Sequence, residues 1–87
     1  MMGTSAWEPV RTLAELDQLD DVEIQEGYFD GRNNEPEPRA GGNRSRSYWH
    51  GWRVGMMDAY RIEVDADHRK LVSEFVRREK AHREPGA

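Results

Sequence analysis

The chain has 87 residues, 34% of them charged, a net charge of −4 and no cysteine. That length allows one domain with a small core, and the missing cysteines exclude disulfides, a thiolate metal site and a cysteine nucleophile. No apolar run approaches the roughly 18 residues of a membrane span, so no membrane partner is expected.

Met1–Arg11 reads as a flexible tail, short and turn-rich. Its sequence, MMGTSAWEPVR, has neither a basic n-region nor an apolar h-region, so a cytoplasmic location is expected. Trp7 either tucks onto the domain or stays exposed. The domain itself is predicted over 12–81, with a second flexible tail at 82–87. Thr12-Leu13-Ala14-Glu15 is a capping-box pattern and starts a short turn over 12–19. Asp20 or Asp21 offers the next N-cap, with Glu23 following. A helix over 21–33 aligns Ile24, Gly27, Tyr28 and Gly31 on one face, with acids in its first turn.

Asn33–Asn43 breaks the pattern. Pro36, Pro38, Gly41 and Gly42 cannot continue a helix, and Glu35–Pro38 suits polyproline II. Ser45 or Ser47 then caps a central helix over 46–61. There Tyr48, Gly51, Trp52, Gly55, Met56 and Ala59 form one continuous face at the 3.6-residue period. A glycine inside a helix costs about 1 kcal/mol relative to alanine. Two on one face imply that another backbone lies close against them. A third helix, capped by Asp65 or Asp67, is predicted over 66–81. It is amphipathic, with Leu71, Val72, Phe75 and Val76 as its stripe and Asp65/Arg69, Glu74/Arg78 and Glu79/Arg83 as acid-before-base pairs. Its expected role is docking on the two preceding helices, with a partner or dimer face as the alternative. No Gly or Pro separates it from the central helix, so one continuous rod is also open.

Two blocks echo one another 24 residues apart, Gly27-Tyr28-x-x-Gly31 and Gly51-Trp52-x-x-Gly55. The expected fold is therefore all-α: a small three-helix domain built on a glycine-notched helix pair plus an amphipathic C-terminal helix. Gly27, Tyr28, Gly31, Tyr48, Gly51, Trp52 and Gly55 are its structural residues.

Charge is uneven. Residues 1–37 carry a net −8, residues 38–61 a net +4, and residues 62–87 none. The basic centre is either neutralised by the acidic arm or meets an anionic partner. No catalytic constellation, phosphate loop or metal-ligand spacing occurs, so a non-enzyme without cofactor or metal is expected. His50 reads as a surface or edge residue. Arginines interleaved with aromatics remain, and that pairing suits RNA, through phosphate contacts and base stacking.

The residues Gly27-Tyr28-x-x-Gly31-Arg32, Pro38, Asn43, Tyr48-x-x-Gly51-Trp52-Arg53 and Asp58 resemble the ribosome modulation factor family of bacteria. The likeness spans about 24–58. It implies a two-helix core that binds the small ribosomal subunit and pairs idle ribosomes in stationary phase, a form of translation regulation. Carried over position by position, the resemblance matches Arg32, Arg53, Tyr48 and Trp52; joined to the interleaving of arginines and aromatics, it leads to the expectation that Arg32, Arg39, Arg44, Arg46 and Arg53 contact ribosomal RNA phosphates, with Trp49 as an exposed stacking residue. The competing expectation is a protein–protein module, a homodimer or adaptor, working through Leu71, Val72, Phe75 and Val76 without RNA.

Overall fold

A computed structural model describes residues 7–39 and 41–83. The described residues form four helices and no strand: α1 (Leu13–Asp17), α2 (Asp21–Arg32), α3 (Arg46–Asp58) and α4 (Ala66–Arg83). The all-α class expected from the sequence is the one found. The domain extends further toward the N-terminus than 12, because Val10 is only 4% exposed and Trp7 packs on the core. The tails expected over 1–6 and 84–87 lie outside the described residues.

Each helix begins where a side-chain oxygen can accept its free N–H groups. Thr12 Oγ1 accepts from the Glu15 N–H at 3.1 Å, and the Glu15 carboxylate accepts in turn from the Arg11 N–H. Asp20 Oδ1 accepts from Val22 and Glu23, Ser45 Oγ from Tyr48, and Asp65 Oδ1 from His68. The two central helices end alike. Asn34 and Tyr60 adopt positive φ, 63° and 60°, and the next N–H reaches back to Asp30 O and Met56 O respectively. This is the Schellman arrangement. It stops α3 at Asp58, short of the expected 61. It also separates α3 from α4, so the two are not one rod.

Helices α2 and α3 make the core, and they run in the same direction. A Cβ placed on Gly27 would lie 2.0 Å from Tyr48 O, and one on Gly31 2.2 Å from Trp52 O. Conversely, a Cβ on Gly51 would lie 1.9 Å from Ile24 O, and one on Gly55 2.1 Å from Tyr28 O. Only hydrogen fits at these four places. Every contact maps onto another when 24 is added to or subtracted from the residue numbers, which is the spacing of the sequence echo. The pair therefore has an internal two-fold relation.

Same-direction helices place both N-termini together, and their dipole ends with them. Asp20 donates its N–H to Ser47 Oγ at 2.9 Å, and the Ser45 hydroxyl donates to Glu23. The acids Asp20, Asp21 and Glu23 gather where two positive helix ends meet. The connection must then run back along α2, which at 12 residues is about 18 Å long. Residues 33–39 and 41–45 do so on the outside of α3, pinned by Trp52 Nε1 donating to Glu35 O and Trp49 Nε1 donating to Glu37, both at 2.8 Å.

Helix α4 departs from expectation. Among the helices its backbone packs against α1, not against α2 or α3. Leu71, 2% exposed, anchors it. Arg78 pairs with Asp17 at 2.8 Å, and Asp65 with Arg53 at 2.8 Å. The i,i+4 partners Glu74 and Arg69 are passed over because partners across the fold lie closer. The Glu79/Arg83 pair lies outside the described side chains.

Gly51→Leu is expected to unfold or loosen the domain, since overpacking typically costs about 1–3 kcal/mol. A thermal melt followed by circular dichroism checks it, and an unchanged Tm would mean that the helices do not touch there. Tyr60→Gly should act oppositely. The tyrosine is 95% exposed and sits in a left-handed conformation, so glycine relieves strain without losing packing. A gain of about 0.5–1 kcal/mol is expected, a few degrees in Tm.

Candidate functional site

The arginines of the central segment divide into two groups. Arg46 is half-buried and turned inward: it donates to Glu8 O at 2.9 Å, to Pro9 O at 3.3 Å and to Glu15 Oε2 at 3.0 Å. Arg53 pairs with Asp65 and stacks over the Trp49 ring at 5.1 Å. Arg32, Arg39 and Arg44 remain exposed. Arg44 lies over the Tyr48 ring at 4.2 Å, and Arg32 donates to the Tyr28 hydroxyl at 3.2 Å. The inward arginines are thus neutralised by Glu15 of the acidic arm and by Asp65, and of the outer ones Arg44 lies 4.0 Å from Glu26.

Trp49 is not an exposed stacking residue. It is 5% exposed, in the same cluster as Tyr48, Trp52 and Met56, with the Trp7 ring 5.6 Å away. The reason is that α3 is enclosed on several sides. Helix α2 covers its glycine face, the N-terminal arm and the returning connection cover Trp49, and α4 closes over His50. A helical wheel of α3 alone shows one apolar face, and the arm that covers the other is remote in sequence.

The aromatic hydroxyls tie the pair together. Tyr28 donates to Asp58 Oδ2 at 2.6 Å and Tyr48 donates to Asp30, so each central helix sends a phenol to a carboxylate on the other. Burial, reinforced by Asp30, pushes the Tyr48 phenol up to about 12.

His50 is likewise not at the surface; it is 6% exposed. Its ring lies 6.3 Å from that of His68 on α4. Burial chiefly, then the nearby His68, Arg53 and Arg46, push His50 down to about 4. His68 is also lowered, mainly by burial, although Asp65 and Asp58 oppose this. The two rings are therefore neutral together at neutral pH.

These histidines line a groove of about 980 Å³ between α4 on one side and α2 and α3 on the other. Ile24, Phe29, Val54, Leu71, Val72 and Phe75 give it an apolar lining, and Asp21, Asp58 and Glu79 lie at its margins. Phe29 is 55% exposed, Val72 44% and Phe75 39%; Val22, 67% exposed, shares the outer face of α2 with Phe29, and Val76, 56% exposed, continues the α4 edge. Of the expected stripe, Val72, Phe75 and Val76 do face solvent, but Leu71 does not, since it is the residue that docks α4. Phe29 and Val22 had a legible signal that the periodicity reading passed over. They stand seven apart, opposite the glycine face, on a helix that otherwise carries acids outward.

Among the described residues, no group of three or more His, Asp or Glu side chains is arranged to hold a metal ion, and no helix is long and apolar enough to cross a membrane. Comparison with protein-family models, curated proteins and solved structures finds no match.

The buried histidine sets a pH dependence. In the unfolded chain His50 takes up its proton near 6.5, and in the folded protein near 4. The unfolded state therefore binds more protons as pH falls through this interval, and stability falls with it, by up to about 1.4 kcal/mol per pH unit for one proton. Glu15, Asp17 and Asp65, lowered chiefly by Arg46, Arg78 and the His68 N–H respectively, add a loss at lower pH. Urea titrations between pH 7 and 4.5 should show the first slope, and His50→Gln should flatten it. An equal slope in that variant would overturn the assignment.

Proposed function

We propose that this chain is a binding protein without catalytic activity, that its working surface is the groove between α2 and α4, and that its occupant is an amphipathic helix. One observation carries the reading. Among the described residues, three of the six large apolar side chains left exposed, Phe29, Val72 and Phe75, line this groove, and two more, Val22 and Val76, lie on the same two helices. A chain of this size has little apolar surface to leave uncovered, and such a concentration marks an interaction site. A helix laid between two helices with apolar residues at i, i+3 and i+7 is a recurrent mode of recognition.

A second reading follows the resemblance to the ribosome modulation factor family: a cytoplasmic regulator of translation that binds the small ribosomal subunit through RNA. What supports it is the glycine-notched pair together with the exposed guanidinium groups of Arg32, Arg39 and Arg44. Arg46 and Arg53 would contribute only on release of Glu15 and Asp65.

Capture from a stationary-phase lysate separates the two. The protein reading expects partners that resist ribonuclease and are lost with Phe29→Ser plus Val76→Ser. The ribosome reading expects ribosomal subunits, lost with ribonuclease, with Arg39→Glu plus Arg44→Glu, or with a rise in salt, since phosphate contacts are salt-dependent. Wild-type capture that neither set of variants alters would overturn both.

A further inference from the structure

We infer that the helix seated in the groove is α4 of a second copy, so that the chain forms a two-fold dimer through α2 and α4. This rests on the groove being the working surface and names its occupant.

The argument is one of complementarity. A two-fold interface uses the same patch on both copies, so the patch must be complementary to itself. The two lips of this groove are. On the α2 lip, Asp21 lines the groove and Glu26 is exposed, 4.0 Å from Arg44, while Glu23 and Asp30 are turned to α3, accepting from Ser45 and Tyr48. On the α4 lip, the helix carries six bases against three acids. Each lip is also apolar: Val22 and Phe29 on α2, Val72 and Val76 on α4. Along α4, Arg69, Val72, Val76 and Lys80 follow i, i+3, i+7 and i+11, one exposed stripe with a cation at each end. Neither Arg69 nor Lys80 makes an ion pair among the described residues, whereas Arg78, on the inner side, is held by Asp17.

Turning one copy over brings its basic apolar stripe against the acidic apolar lip of the other, and the operation repeats itself in reverse. The stripes then cover each other's Val72, Phe75 and Val76, while Arg69 and Lys80 approach Asp21 and Glu26. The result is a bundle of α2 and α4 from each copy, with the two α3 helices outside. An acidic partner helix would not fit this groove, because its α2 lip is itself acidic.

Sedimentation equilibrium of the full chain from 10 micromolar to 1 millimolar, concentrations on the order usual for weak dimers, is the first measurement. A concentration-dependent dimer is expected, and Val76→Asp should weaken it at least about tenfold with an unchanged circular dichroism spectrum, because Val76 lies outside the core. A charge exchange supplies the decisive arm. Arg69→Glu with Lys80→Glu should not self-associate, nor should Asp21→Lys with Gln25→Lys. Mixed, the two variants should form a heterodimer, since each altered lip then meets its complement and the unaltered lips still match. A wild-type chain that stays monomeric at 1 millimolar, or variants that fail to pair when mixed, would overturn the dimer. Because the lysate capture above reads any helical partner, a monomer here and a lost capture there are separate failures.

Discussion

Four glycines carry the fold. Gly27, Gly31, Gly51 and Gly55 let two helices approach until each glycine's hydrogen points at a carbonyl oxygen of the opposite helix. Such Cα–H···O contacts are worth about 0.5–1 kcal/mol each, and here the same geometry occurs four times. Their larger effect is on distance. With the axes this close, Tyr48, Trp52 and Met56 wrap the flanks of the pair and meet the returning connection. In a chain without disulfides, that aromatic burial is what offsets the four helix-breaking glycines.

The same crossing explains the charge distribution. Helices joined by a short turn run antiparallel and their dipoles cancel. These two run in one direction, so two positive ends sit side by side and the chain supplies acids there. Arg46, at the first position of α3, would be the wrong charge for such a place. It is accommodated because Glu15 and two arm carbonyls take its guanidinium away from the helix end. The acidic first half of the sequence is thus largely the electrostatic counterpart of a parallel helix pair. The excess of positive charge in 38–61 is in part spent inside the molecule, on Glu15 and Asp65.

Much of this was legible before the structure. The glycine spacing, the 24-residue echo, the caps at Thr12, Asp20, Ser45 and Asp65, and the proline-bearing break each rest on a local rule, and local rules survive folding. What failed was everything that depended on a third body. Trp49 and His50 stand outside the glycine face of α3, so a one-helix view leaves them in water; the N-terminal arm and α4 bury them. Leu71 belongs to the same apolar stripe as Val72 and Val76, yet α4 docks by its edge, which sends Leu71 inward and leaves the others out. Periodicity finds a face but does not say which half of it is already taken. Nor does it register an αL tyrosine at position 60, where glycine is the usual choice.

The internal two-fold and the proposed external one answer the same problem. An 87-residue chain that folds two helices in parallel must use a long return segment instead of a third packed helix on that side. Pro36 and Pro38 keep that segment extended, so it covers α3 with backbone and two tryptophan hydrogen bonds but contributes no helical face. The opposite side of the pair is then left to α4, whose backbone packs on α1 and whose His68 ring approaches His50. An apolar groove persists because the chain has no further element with which to fill it. Its lips carry opposite charge for the reason already given: α2 is acidic because it shares its N-terminus with α3, and α4, which shares its N-terminus with no other helix, is free to be basic. The surface that suits a second copy is in this sense a consequence of the parallel crossing itself.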